Sequence, residues 1–184
     1  MKIYKQREVK ISLNLLFLKK RENMKKVNII RIILIILLVL TFIKIFDFSS
    51  QNSEKSSNLS RTVTEKITSK IKFIQNLDTD KKEEVLHRAE IIIRKLAHFS
   101  EYTLAGILLM VLMSTYEIKN KWRVLVSFII GVVYASSDEI HQLFVPGREG
   151  TVRDVLIDST GVITGICIVI IILKIIKRIK SSKK

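Results

Sequence analysis

Three short stretches hold most of the residues able to do chemistry. The first is Arg94-Lys95-Leu96-Ala97-His98-Phe99-Ser100-Glu101-Tyr102. On a helix, Arg94, His98, Glu101 and Tyr102 share one face, because they are spaced by three and four. The second is Ser137-Asp138-Glu139-Ile140-His141-Gln142, where Tyr134, Asp138 and His141 share a face. It runs into Leu143-Phe144-Val145-Pro146-Gly147-Arg148, a turn marked by the chain's only proline and the glycine behind it. The third is Arg153-Asp154 with Asp158 four residues on; Gly161 and Gly165 continue that face.

Several chemistries fit these residues. His98 with Glu101, and Asp138 with His141, have the helical spacing of paired metal ligands. A histidine beside a carboxylate is also a general base, which makes His98, Glu101, Asp138 and His141 the candidates if the protein is an enzyme. The arginines suit a pocket for phosphate or carboxylate groups. Arginines among the carboxylates disfavour a bound cation, so no cofactor is expected and a metal stays an alternative. A structural ion-pair network tying helix ends together is the plain alternative to any site.

The elements that position these residues follow from how apolar and charged residues are distributed. The 184-residue chain is 48% hydrophobic and 27% charged, with a net charge of +15. The apolar residues fall in long runs with Lys and Arg beside them, as a bilayer requires, since about 20 apolar residues cross its hydrocarbon core. Spans are expected at about 27–46, 96–115, 122–138 and 155–176. No alternating polarity suggests a strand, so the fold class is an all-α integral membrane bundle of about four transmembrane helices. The domain reading is a basic N-terminal tail over 1–26, a membrane domain over 27–176 and a basic tail over 177–184. Met24 opens a complete membrane-protein start, so 1–23 reads as a start-site extension or a mobile cytoplasmic tail. The first span lacks a small-residue cleavage site after it and reads as an uncleaved anchor.

Residues 47–93 are polar. Within them Leu59, Val63, Ile67, Ile71 and Ile74 recur at helical spacing, which predicts an amphipathic helix on the membrane or on the other helices. A second helical stretch, 79–93, leads into the next span. Lys and Arg are enriched in both tails and in the 116–123 linker, which places the termini inside and residues 47–93 and 139–154 outside. All three polar clusters then converge at the outer face. Charges at membrane depth must turn inward against one another, so Arg94, His98, Glu101, Asp138, His141, Arg148, Asp154 and Asp158 are expected to form one buried set. Gly161 and Gly165 give a small-residue surface for a close neighbour helix.

Other signals are weaker. The basic excess flanks the spans with no nucleic-acid motif beside it, so nucleic acid is excluded as a partner and membrane lipid is expected. Cys167 lies in an apolar run and reads as a packing residue. Ser100 and Ser137 lack a nucleophile elbow. His87 reads as exposed, and Tyr116 and Trp122 as interfacial anchors.

The chain resembles the VanZ-like family of bacterial membrane proteins. The likeness rests on FDFSSQNS after the first span, RKLAHFSEY opening the second, and DEIHQLFVPGREGTVRDVLIDSTG from the third into the fourth. It covers about Asp47 to Gly165 and leaves out 1–23. The resemblance implies a four-helix protein of the cell envelope, in a family whose founding member is associated with resistance to teicoplanin-type glycopeptides. The family's characteristic positions would map onto Ser50, Gln51, Arg94, Lys95, His98, Glu101, Tyr102, Asp138, Glu139, His141, Gln142, Pro146, Gly147, Arg148, Asp154, Asp158 and Gly161. The expected function is binding of a polar ligand, a lipid headgroup, a cell-wall precursor or a glycopeptide at the outer face. Ligand contacts would come from Arg94, Lys95, His98, Glu101, Tyr102, Asp138, Glu139, His141, Gln142, Arg148, Asp154 and Asp158. The alternative is a membrane-embedded hydrolase or transferase, with or without a metal, acting on a lipid-linked substrate.

Overall fold

In hydrocarbon every backbone amide must be paired within its own segment, so apolar runs of bilayer length become helices. The computed structural model describes residues 2–51 and 53–182, with side chains over 21–51, 60–71 and 74–182. Its elements are α1 (Lys2–Ser49), α2 (Ser53–Thr68), α3 (Lys72–Gln75), α4 (Thr79–Ser114), α5 (Asn120–Gln142) and α6 (Val152–Ser182). There is no strand among the described residues. Four segments are long and apolar enough to cross a membrane: Arg21–Ser49 of α1, α4, α5 and α6. The chain is an all-helical, multi-pass membrane bundle.

The backbone of 2–23 continues α1, and the side chains of 2–20 lie outside those described. The 79–93 stretch leads into the second span as expected, the two forming one unbroken helix of 36 residues. Arg94 to Tyr102 therefore sit in mid-helix, where neighbouring helices can surround them. The third span runs one turn further, to Gln142, so the second cluster is helical throughout.

The bundle centres on α4, which packs most extensively against α6. Glycines allow this crossing. A Cβ on Gly161 would lie 2.6 Å from the Phe99 carbonyl, and one on Gly165 would run into the Thr103 carbonyl. The core around them holds Ile45, Tyr102 and Val162, each fully buried. Phe42 of α1 stacks on Tyr134 of α5 at 3.9 Å. At the opposite end from the polar clusters, Arg31 donates to the Thr115 hydroxyl at 3.0 Å and to its carbonyl at 2.7 Å. Its guanidinium lies 4.0 Å over the Tyr116 ring. Tyr116, read from sequence as an interfacial anchor, thus also helps join α1 to the end of α4.

The amphipathic segment 59–74 divides between α2, which ends at Thr68, and the short α3, with 69–71 between them. Ser60, Thr64 and Thr68 are buried against α4, while Val63, Ile67 and Ile71 are 40%, 51% and 43% exposed. The side chain of Leu59 lies outside those described. Small hydroxyl residues let two helices approach closely, and Thr64 and Thr68 satisfy themselves by donating to the Ser60 and Thr64 carbonyls at 2.9 and 2.8 Å. The apolar stripe is thus left outward.

Candidate binding site

The polar clusters meet at one end of the bundle, where the C-terminus of α1, the middle of α4, the end of α5 and the start of α6 come together. Val145 to Arg148 form the turn that closes this end. Arg148 N–H donates to the Val145 carbonyl at 3.1 Å, and Gly147 takes φ 74°, so Pro146-Gly147 occupy the two central positions of a type II turn.

That turn delivers Arg148 across the end of α1. Its Nε donates to the Gln51 carbonyl at 2.9 Å, one Nη to the Phe48 carbonyl at 3.0 Å and the other to Gln142 Oε1 at 3.4 Å. These acceptors are neutral, and no ion pair within 4 Å involves Arg148 among the described residues. Burial first, then the Arg94 charge, pull Arg148 below its ordinary pKa, with Asp138 and Glu139 opposing. A guanidinium keeps its charge through such a shift. Three of its five N–H groups are engaged, which leaves two for a further acceptor.

The start of α6 is capped by the Thr151 side chain. Thr151 Oγ1 donates to Asp154 Oδ2 at 3.0 Å and accepts the Asp154 N–H at 3.1 Å. The Thr151 N–H donates to Glu139 Oε2 at 2.9 Å. Asp154 also pairs with Lys95 of α4. A second network ties α1 to α5: Ser49 Oγ donates to Asp138 Oδ2 at 2.7 Å, and Gln142 Nε2 reaches Ser49, Asp138 and Glu139 at 3.3, 3.3 and 3.2 Å.

Two chambers open between these elements. One of about 270 Å³ is lined by Arg94, Lys95, His98, Glu139, Gln142, Arg148, Glu149, Asp154 and Asp158, with Ile91 and Ile157 as apolar wall. The other, about 190 Å³, lies among Phe48, Gln51, Ser60, Val63, Ile93, Ala97 and Glu101. Arg94, His98 and Arg148 line both. Buried polar atoms without a hydrogen-bond partner among the described residues include, at this end, His98 Nδ1, the Tyr102 hydroxyl, Asp138 Oδ1 and Asp158 Oδ2.

The model of the VanZ/LLP1 family matches residues 32–174, which takes in both chambers and all the elements that build them. The chain belongs to the VanZ/LLP1 family. No curated protein and no solved structure matches it.

In this VanZ/LLP1 bundle the residues singled out from sequence divide into three groups. Arg94, Lys95, His98, Glu139, Gln142, Arg148, Asp154 and Asp158 meet around the first chamber, and Glu101 faces the second. Tyr102 and Asp138 are buried beside the site and line neither chamber. His141 lines neither chamber. Its ring stacks on Phe46 at 4.4 Å and its Nε2 lies 3.1 Å from Ser50 Oγ, on the side of α5 that Tyr134 and Asp138 also turn to α1. No group of three or more His, Cys, Asp or Glu suited to a metal occurs among the described residues.

Sequence reasoning missed Ser49, fully buried and bonded to Asp138, and the carbonyls of Phe48 and Gln51 that hold Arg148. Backbone acceptors leave no trace in residue types. It also missed Thr151, although Thr-x-x-Asp before an apolar run is a readable capping signal.

Proposed function

We propose that this VanZ/LLP1 protein binds the phosphate-bearing headgroup of a lipid or lipid-linked wall precursor, and so contributes to resistance to teicoplanin-type glycopeptides. The clusters then lie at the outer face of the cell membrane with both termini in the cytoplasm, as the Lys and Arg distribution suggests. One observation carries the reading. Arg148 is held by three neutral oxygens at the wall of both chambers, with two N–H groups left for an anion. The larger chamber, about 270 Å³, falls just below the ~300–1,000 Å³ of drug-sized sites. It suits a headgroup, whereas a glycopeptide is far too large to enter. Resistance in this view follows from engaging the membrane component and not from sequestering the drug.

The test is teicoplanin susceptibility of cells carrying Arg148→Lys or Arg148→Ala at equal membrane abundance. Arg148→Lys keeps the charge but loses the fork that spans the α1 carbonyls and the ligand. Reduced resistance in both supports the reading, and wild-type resistance in both refutes it.

The unpartnered His98 Nδ1 and Asp158 Oδ2 at the first chamber favour a second reading, an enzyme that moves a proton on a lipid-linked substrate. It predicts product formation by purified protein that Asp158→Asn abolishes while substrate still binds.

A further inference from the structure

The end of the bundle opposite the candidate site gathers two guanidiniums on one helix terminus. Arg31 of α1 donates to the hydroxyl and carbonyl of Thr115, and Arg123 of α5 donates to the Tyr116 carbonyl at 2.7 Å. The two carbonyls belong to neighbouring residues, about 3.8 Å apart at Cα, so both charges are tied to one turn of chain. The other acceptors, Asn28 Oδ1 at 3.2 Å and Asn120 Oδ1 at 3.0 Å, are neutral too. Neither arginine is in an ion pair within 4 Å among the described residues.

Capping of α4 explains where these guanidiniums lie and not how their charge is balanced. A helix C-terminus offers roughly half a negative charge, against their two positive ones. The linker between α4 and α5 adds Lys119 and Lys121 and one carboxylate, Glu117, which is exposed and in no ion pair among the described residues. Both arginines are half-buried. Water therefore compensates them incompletely, and cations at the edge of hydrocarbon need a partner. Each of their four Nη atoms is engaged once and keeps one N–H for that partner. Arg123 Nε is buried and is not offered to it.

We propose that this end binds an anionic phospholipid of the leaflet opposite the candidate site, its phosphodiester bridging Arg31 and Arg123. The surroundings select the occupant. Lys119 and Lys121 favour a headgroup with net negative charge and disfavour one that carries an ammonium. Ile30 and Ile33 of α1 and Trp122 and Leu125 of α5 are exposed beside the arginines and offer apolar surface to the lipid chains. The lipid would also tie α1 to α5 at this end. The bonds between those helices, from Tyr134 to the Phe42 carbonyl and from Ser49 to Asp138, lie toward the other end. This site is separate from the headgroup reading above and stands or falls without it.

The test is native mass spectrometry of the purified full chain in maltoside detergent, with dimyristoyl phosphatidylglycerol, dimyristoyl phosphatidylcholine and inorganic phosphate as probes. The glycerol lipid should bind at least about tenfold tighter than the choline lipid, since a charge-assisted bond is worth about that factor. Arg31→Gln and Arg123→Gln should each erase most of this preference. Lys119→Gln with Lys121→Gln, on exposed positions, should reduce it only about twofold. Equal affinity of the wild-type protein for the two lipids overturns the proposal, whether or not the arginine variants fold. A preference that survives Arg123→Gln and vanishes with the two lysines overturns it in favour of a diffuse basic surface. Inorganic phosphate that displaces the glycerol lipid at equal concentration overturns the lipid assignment and leaves a site for a free anion.

Discussion

Replacing Gly165 by alanine should open the α4–α6 crossing and loosen the site built on it. A Cβ at position 165 would lie 2.7 Å from the Ile107 nitrogen and 3.0 Å from the Gly106 carbonyl carbon, and closer still to the Thr103 carbonyl oxygen. All three are backbone atoms, so no side chain can rotate away. Carbon contacts rest at about 3.5–4.0 Å, so the helices must part by roughly 1 Å. Overpacking of this kind costs about 1–3 kcal/mol, and a backbone obstacle puts Gly165→Ala in the upper part of that range. Gly131→Ala is the internal comparison. Its nearest contacts would be side-chain atoms of Val162, the two methyls at 2.6 and 2.8 Å and Cβ at 3.3 Å, which yield more readily than backbone. Reversible unfolding in mixed detergent and dodecyl sulfate micelles should therefore show Gly165→Ala the less stable by about 1 kcal/mol, within the spread that overpacked cores show. Because Lys95 and Asp154 sit on opposite sides of that crossing, the teicoplanin resistance proposed above should fall in Gly165→Ala as well. Equal stability of the two variants, or a more stable Gly165→Ala, would refute the backbone-clash reasoning.

Ser49→Ala should destabilise the fold by about 1–3 kcal/mol in the same unfolding assay, because it strips a donor from buried Asp138, whereas Ser50→Ala on an exposed position should change it little. Thr151→Val should cost about 0.5–2 kcal/mol by removing the cap of α6; stability unchanged on substitution would mean that the Thr151 cap is idle. For topology, single cysteines at the exposed positions 149 and 118, in a Cys167→Ser background, should be labelled by an impermeant maleimide from outside and from inside respectively; the reverse pattern would overturn the placement of the site.

The spans and the convergence of the clusters were legible because hydrocarbon imposes its demands on residue type. Apolar runs set the helices, and ionisable residues spaced by three and four on neighbouring spans had to meet. The reading of 79–93 as leading into the second span needs no breaker between them, and the two are one helix. What was not legible depended on backbone position. The apolar stripe of α2 left two choices, the membrane or the other helices; beside a bilayer the stripe can remain outside while small hydroxyl residues make the closer helix contact. Tyr134, Asp138 and His141 share a helical face as their spacing requires, but that α1 would cover this face, with Phe42, Ser49 and Phe46, depends on helix placement that spacing does not carry.

The plain alternative, a structural network of charges, accounts for part of the cluster and thereby isolates the rest. Asp154, Thr151 and Glu139 fix the N-terminus of α6, and Asp138, Ser49 and Gln142 fix α1 to α5. Asp158 Oδ2 and His98 Nδ1 stay buried without a partner among the described residues, but so does Asp138 Oδ1, inside the network that holds α1 to α5. An orphan atom by itself therefore does not mark a ligand. Arg148 differs in kind: its acceptors are two backbone carbonyls and an amide oxygen, all neutral, and two of its N–H groups remain. A charge held only by neutral oxygens at the wall of two chambers is the one an anion would complete.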